Sequence, residues 1–392
     1  MCRSMFAAVV CLIAASPLRG QEVDRSRILE EFDIPTDGDG LLVPVIINNK
    51  RFTFLVDTGT SWTIFDAALR PLLQLPLKKK PVQTPLASVE TEFHVSPKIQ
   101  VGQMAVAADG MVACMALGDM RKVTGHEIDG VLGMDFLSQY VVRLDFDRGK
   151  LSFLKEADRE AGMRLPFDHP RVPVVRLQLG GMRPLRFLID TGSIGFDSGM
   201  LNSSLVSRLA EDDSMTVVGK AKATDASGTS WVRQGLVRRC VFAGDECTNT
   251  IWSETPDHFP NHVSLHFLAQ YNVTFDFPNA AMYLTKSRYF GHADGVDLSG
   301  LHFRRVDGRV VVEAVDQGSP AEDCGVEAGD VIKSVGDKDA STTRLFVLRK
   351  ALSQAGRCVL LVLQRGSETL QRELVLQSSA VSHKSETAGA PR

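Results

Sequence analysis

Phe54-Leu55-Val56-Asp57-Thr58-Gly59-Thr60 and Phe187-Leu188-Ile189-Asp190-Thr191-Gly192-Ser193 are two copies of one heptapeptide, 133 residues apart. In each copy an apolar run suited to a buried strand ends on an aspartate, and a hydroxyl residue closes the motif. A second block, FLSQYVVRLDF from Phe136 to Phe146, returns as FLAQYNVTFDF from Phe267 to Phe277, 131 residues later. Two matched blocks in the same order at nearly the same spacing mark a duplicated unit. Upstream, Val43-Pro44-Val45-Ile46 corresponds loosely to Val172-Pro173-Val174-Val175.

Each unit is patterned as short β-strands. Leu41–Asn48 and Arg51–Val56 flank the turn residues Asn48-Asn49, and Val174–Leu179 and Leu185–Ile189 flank Gly180-Gly181. Val141–Phe146 and Leu151–Leu154 predict another hairpin, and short helices are expected at Met134–Gln139 and Leu265–Gln270. The fold class expected is mainly β: two lobes at residues 40–156 and 164–286, joined by the charged stretch Lys155–Arg164. After a linker at Gly291–Asp297, a small α+β domain spans 298–377, and the polar residues 378–392 read as a disordered tail.

The chemistry of the repeat follows from its residue types. Gly59 and Gly192 permit a tight turn and close backbone approach. Thr58 and Thr191 are placed to hydrogen-bond across the lobe interface, and the Thr60 and Ser193 hydroxyls to donate to the outer carboxylate oxygens. If Asp57 and Asp190 lie within about 3 Å, the pair holds one proton between them. The ionised member then acts as general base on water, while the protonated member polarises a carbonyl. The titrations belong to the pair, so neither role is fixed to one residue. This chemistry needs no metal and no cofactor.

With these motifs, residues 40–286 resemble the retropepsin-like branch of bacterial aspartyl proteases within the aspartic peptidase superfamily. The resemblance implies an acid-protease fold with Asp57 and Asp190 as catalytic residues. Both lobes lie in one chain, so a monomer suffices for the site. It also implies that Val131-Leu132-Gly133 packs behind the first catalytic loop. The second lobe reads His262-Val263-Ser264 there, with Ser in place of the expected Gly, which leaves two alternatives: the packing survives because Ser is small, or the second loop is displaced. The flap candidates are Thr84–Phe93 and Ala223–Trp231, of which only the second has an apt turn, Ser227-Gly228.

Residues 300–377 resemble a PDZ domain of the kind found in exported bacterial proteases. Gly300-Leu301-His302-Phe303 stands at the carboxylate-binding loop, and Gly325 to Ile332 (GVEAGDVI) matches the most specific element. Arg309–Val315 and Cys358–Arg365 are expected strands, and Thr342–Ala355 an expected helix. The resemblance implies capture of peptide C-termini, with Leu301, His302 and Phe303 supplying backbone N–H groups to the carboxylate.

Composition bounds the alternatives. The 392 residues are 44% hydrophobic and 23% charged, with net charge −3, as in an ordinary globular protein. That balance excludes an electrostatic case for nucleic acid or anionic membranes. Arg3 followed by the apolar stretch Met5–Ala15 reads as a secretory signal within residues 1–20, so export to the periplasm or medium is expected, with no membrane span after its removal. Five cysteines remain beyond it. Cys240 and Cys247 are spaced to bridge a hairpin, but no zinc-ligand pattern exists. His258, His262 and His266 recur every fourth residue, but Pro260 breaks the helix such a stripe needs, so they read as surface or structurally satisfied histidines. The sequence thus predicts an exported aspartic endopeptidase whose PDZ domain recruits polypeptide substrates. The alternative is a catalytically inactive peptidase fold that binds or scaffolds peptides.

Overall fold

A computed structural model describes residues 25–106, 110–158, 162–292 and 294–376; the expected signal segment and C-terminal tail lie outside them. The protein is mainly β. In the first lobe, Leu42–Ile47 and Lys50–Val56 form a hairpin whose turn residues Asn48 and Asn49 take φ of 49° and 61°. Asparagine tolerates this left-handed backbone, and the resulting two-residue turn matches the twist of its strands. In the second lobe Val174–Leu179 and Leu185–Ile189 repeat the arrangement. The two runs ahead of the aspartates, Phe54–Val56 and Phe187–Ile189, are buried.

Each of these strands belongs to a larger sheet, nine-stranded in the first lobe and seven-stranded in the second. A third sheet of six strands joins the lobes. At its centre Val141–Asp145 runs antiparallel to Tyr271–Asp276, with Val141 opposite Asp276 and Val142 opposite Phe275. The second repeated block therefore meets its own copy, as paired elements do about a two-fold axis. One apolar core runs through both lobes.

Two elements at this sheet correct the sequence expectations. Ile28–Asp33 pairs with Lys150–Leu154, so the chain enters the sheet well before residue 40. Its alternating half-buried and exposed residues need only one covered face, a weak apolar signal in sequence. At the other edge, Met163–Pro166 pairs with Ala281–Lys286, so the end of the charged joining stretch is a strand. The helices after the Gly133 and Ser264 positions are single turns, Met134–Leu137 and Leu265–Leu268, two residues shorter than expected.

The small C-terminal domain has its own core and a sheet ordered Leu301–Val306, Arg309–Val315, Val331–Val335, Cys358–Arg365, Glu368–Val375. Its longer helix is Leu345–Ala351, a shorter segment than Thr342–Ala355. No helix among the described residues is long and apolar enough to cross a membrane.

The stretch Gly291–Asp297 is more than a linker. In the first lobe the buried Asp135 accepts from the Thr63 amide at 2.9 Å and the Thr63 hydroxyl at 2.8 Å, behind the first Asp-Thr-Gly loop. The repeat places His266 opposite Asp135, so the second lobe lacks that carboxylate in its own sequence. Asp294 supplies it: its carboxylate accepts from Ser198 Oγ at 2.5 Å and Ile251 N at 2.8 Å, and lies 3.3 Å from His266 Nε2. Asp294→Ala is expected to destabilise the protein by about 2–5 kcal/mol, because buried donors lose their acceptor. Urea unfolding of the full chain measures this.

Candidate active site

Both aspartates are delivered by the same backbone device. Phe54–Val56 pairs in parallel with Gly130–Leu132, and Leu188–Ile189 with His262–Val263. The Asp57 amide then donates to Leu132 O and the Asp190 amide to Val263 O, each at 3.0 Å. These bonds end the strands and turn the chain into the Asp-Thr-Gly loops.

The threonines interlock the loops. Thr58 Oγ1 donates to Ile189 O at 2.6 Å and accepts from the Thr191 amide at 3.2 Å. Reciprocally, Thr191 Oγ1 donates to Val56 O at 2.8 Å and accepts from the Thr58 amide at 3.0 Å. Both side chains are buried, so each bond replaces water that cannot reach the interface.

The glycines leave room for the carboxyl groups. A Cβ on Gly59 would lie 2.4 Å from Asp190 Cγ, and one on Gly192 would lie 2.3 Å from Asp57 Cγ. Each carboxyl group packs over the opposite glycine, which brings the two carboxyls together at the junction. Burial, then the charge of Asp190, pushes Asp57 well above the ordinary carboxylate range. Burial also raises Asp190, opposed by its hydrogen bond from Asp57 and by backbone donors. Both carboxyls are thus pushed toward the protonated form, and the pair shares its proton.

The hydroxyls of Thr60 and Ser193 do not orient these carboxyls as the sequence suggested. Gly59 N donates to Asp57 Oδ1 at 2.7 Å. Gly192 N and Ser193 N donate to Asp190 Oδ1 at 2.9 and 3.0 Å. The Thr60 hydroxyl turns away to Trp62 O at 3.4 Å. A tight turn aims successive amides at its own first side chain, so no hydroxyl is needed.

Behind the first loop Gly133 is required by space: a Cβ there would lie 2.4 Å from Trp62 O. Ser264 does not displace the second loop. Its Oγ donates to Asp197 O at 2.5 Å and caps the next helix by accepting from Phe267 N at 3.3 Å. Leu265 N reaches Ser193 O at 3.1 Å, as Met134 N reaches Thr60 O at 2.9 Å in the first lobe.

Both flap candidates are hairpins, Lys78–Gln83 with Ser88–Val95 and Met215–Asp225 with Gly228–Phe242. The first tip crosses to the second lobe, where Leu86 N donates to Asp225 Oδ2 and Thr255 Oγ1 donates to Pro85 O, both at 2.8 Å. His258 Nε2 lies 3.4 Å from Thr84 O, which gives that histidine a role at the flap. Beneath is a cleft of about 700 Å³ lined by Asp57, Asp190, Leu86, Met120, Val232 and His302.

His302 belongs to the C-terminal domain, which is docked on both lobes. Arg344 bonds Asp37 at 2.7 Å and Asp39 at 2.6 Å, and His126 Nε2 meets Asp39 at 2.7 Å. Burial raises Asp39, but His126 and Arg344 outweigh it and hold the carboxyl below its usual range. On the second lobe Lys222 pairs with Glu313 at 3.0 Å, and the Trp231 ring meets His302 edge-on at 4.6 Å.

This docking changes the expected peptide edge. Leu301 N donates to Ser299 Oγ at 3.0 Å, and Arg349 Nη2 donates to Phe303 O at 2.9 Å. The first-lobe helix Gly118–Thr124 packs against strand Leu301–Val306, and a Cβ on Gly125 would lie 2.9 Å from Leu345 Cγ. Leu301 therefore cannot offer its N–H to a carboxylate in this arrangement, contrary to the sequence reading. Gly300 opens that loop at a φ of 71°, against Ser319.

His262 is the residue whose role the sequence missed. It is buried, with Nε2 3.9 Å from Asp190 Oδ2, whereas the repeat places the apolar Val131 at the equivalent point of the first lobe. A polar residue in an apolar slot of the repeat was the available signal. Cys240 and Cys247 sit opposite each other on adjacent strands as free buried thiols.

Two interlocked β lobes with a carboxyl pair at their junction define an aspartic-peptidase type of site. The sequence model of the aspartyl protease family matches residues 43–136, and that of the PDZ domain matches residues 311–365. The chain carries an aspartyl protease domain and a C-terminal PDZ domain. Among solved structures, the aspartic proteinase from Irpex lacteus is similar over 100% of its own length and 68% of this chain, at 13% identity and a TM-score of 0.42. No curated protein matches the chain.

Proposed function

We propose that this protein is an exported aspartic endopeptidase in which Asp57 and Asp190 activate water against a peptide carbonyl, with the PDZ domain orienting polypeptide at the cleft. The observation that carries the reading is the pair of carboxyls, each packed over the other's loop glycine, at the base of a cleft closed by a flap tip. In this reading Asp190 is taken as the ionised member and accepts a proton from water as it attacks. Asp57 donates to the carbonyl oxygen, and the proton gained by Asp190 later reaches the leaving amine. Proximity and burial supply the rest, since the loops are fixed before substrate arrives. Export rests on the apolar segment Met5–Ala15 behind Arg3.

The PDZ domain contributes through its position. His302 and Arg349 line the same cleft as the dyad, so a chain held at this domain lies along the path to the aspartates. Cleavage of an unfolded polypeptide, followed from about pH 3 to 8, tests the reading and is expected to give a bell-shaped kcat/KM with one limb for each titration of the pair. Binding of peptides without turnover anywhere in that range would support the inactive scaffold instead.

A further inference from the structure

The two halves of the dyad are not equivalent. Around Asp57 the supporting strand carries Val131, while around Asp190 it carries His262. Nδ1 of His262 lies 3.3 Å from Pro260 O. A carbonyl only accepts, so Nδ1 carries the hydrogen and Nε2 is left with its lone pair toward Asp190 Oδ2, 3.9 Å away. The ring is wedged edge-on against Phe259 at 5.7 Å and strand-paired beside Met200, so it cannot swing away.

We infer that His262 is a positioning residue that makes the dyad unequal: when Nε2 takes a proton at acidic pH, the imidazolium holds Asp190 as the ionised partner and leaves the shared proton on Asp57. This rests on the peptidase reading above. The groups facing the imidazole are Asp190 on its own sheet, Asp57 across the lobe junction, and Asp197 from the loop that follows the second motif. Asp197 accepts from Ser253 Oγ, and Asp294 and His266 lie on its far side. The imidazoles of His262 and His266 both act on Asp197, and that of His262 is the one beside Asp190. Burial favours the neutral ring at neutral pH, which confines the effect to the acid limb.

The sign is fixed by electrostatics. A positive charge beside Asp190 eases loss of the first dyad proton, so it extends activity toward lower pH. His262→Val copies the first lobe's own residue and is expected to move the acid limb of kcat/KM up by about one pH unit, leaving the alkaline limb in place. His262→Gln, polar but untitratable in this range, should behave alike. A merely structural role would scale the whole profile without moving a limb. Independently of turnover, the His262 ring nitrogens are followed by NMR titration in wild type and Asp190→Asn. The midpoint is expected to fall by about one unit when the neighbouring anion is removed. An unmoved midpoint overturns the inference, whatever the protein cleaves. A moved midpoint in a chain that cleaves nothing supports the coupling and removes the peptidase reading instead.

Discussion

Asp57→Asn is expected to reduce peptide cleavage by about 10³-fold or more while raising the thermal unfolding midpoint at pH 7. The two effects have one cause. Asp57 is held far above its ordinary value, first by burial and then by the Asp190 charge. A carboxyl whose folded value lies above its unfolded value stabilises the fold while both states are protonated. That contribution is lost as pH rises through the folded value. Asparagine keeps an N–H donor for Asp190 and removes the ionisation, so the variant does not suffer this loss. The gap between variant and wild type should therefore be widest at neutral pH and close as pH falls toward 3.8, the ordinary aspartate value. Calorimetry across that range measures it, and a variant less stable than wild type at pH 7 would contradict the assignment of the shared proton.

Thr58→Val should be the most damaging conservative change at the lobe junction. Valine matches threonine in shape but neither donates to Ile189 O nor accepts from the Thr191 amide. Two backbone groups are then left buried without partners, at about 1–3 kcal/mol each, so a loss of about 2–6 kcal/mol is expected. Cleavage should fall by about 10²-fold in kcat, since loops released by an ångström no longer hold both carboxyls in reach of one water. Thr191→Val should act alike, because its bonds to Val56 O and the Thr58 amide mirror the first set. Denaturant unfolding and single-turnover kinetics separate the two effects.

Much of this site was legible because it is built from strand ends. An apolar run, a two-residue turn at Asn48-Asn49 and a following Asp-Thr-Gly specify a strand, a register and a carboxyl position by local rules. The repeat then supplied the partner, since a junction that pairs each block with its copy needs no further information. What stayed hidden depends on residues far apart in the chain. Asp294 replaces a carboxylate that the second lobe lacks, and only a residue-by-residue comparison of Asp135 with His266 would have exposed the vacancy. The same comparison sets His262 against Val131. The roles assigned to the Thr60 and Ser193 hydroxyls failed because tight turns present amides before side chains. The cover over the PDZ edge arises from contact between separately folded domains, which no strand pattern within either one encodes.

The most direct measurement of the central claim is a mass-spectrometric count of new peptide termini from one unfolded polypeptide between about pH 3 and 8, with wild type, Asp57→Asn and Asp190→Asn side by side. The dyad account predicts new termini with wild type alone, and all three proteins folded. Equal cleavage by either asparagine variant would contradict it.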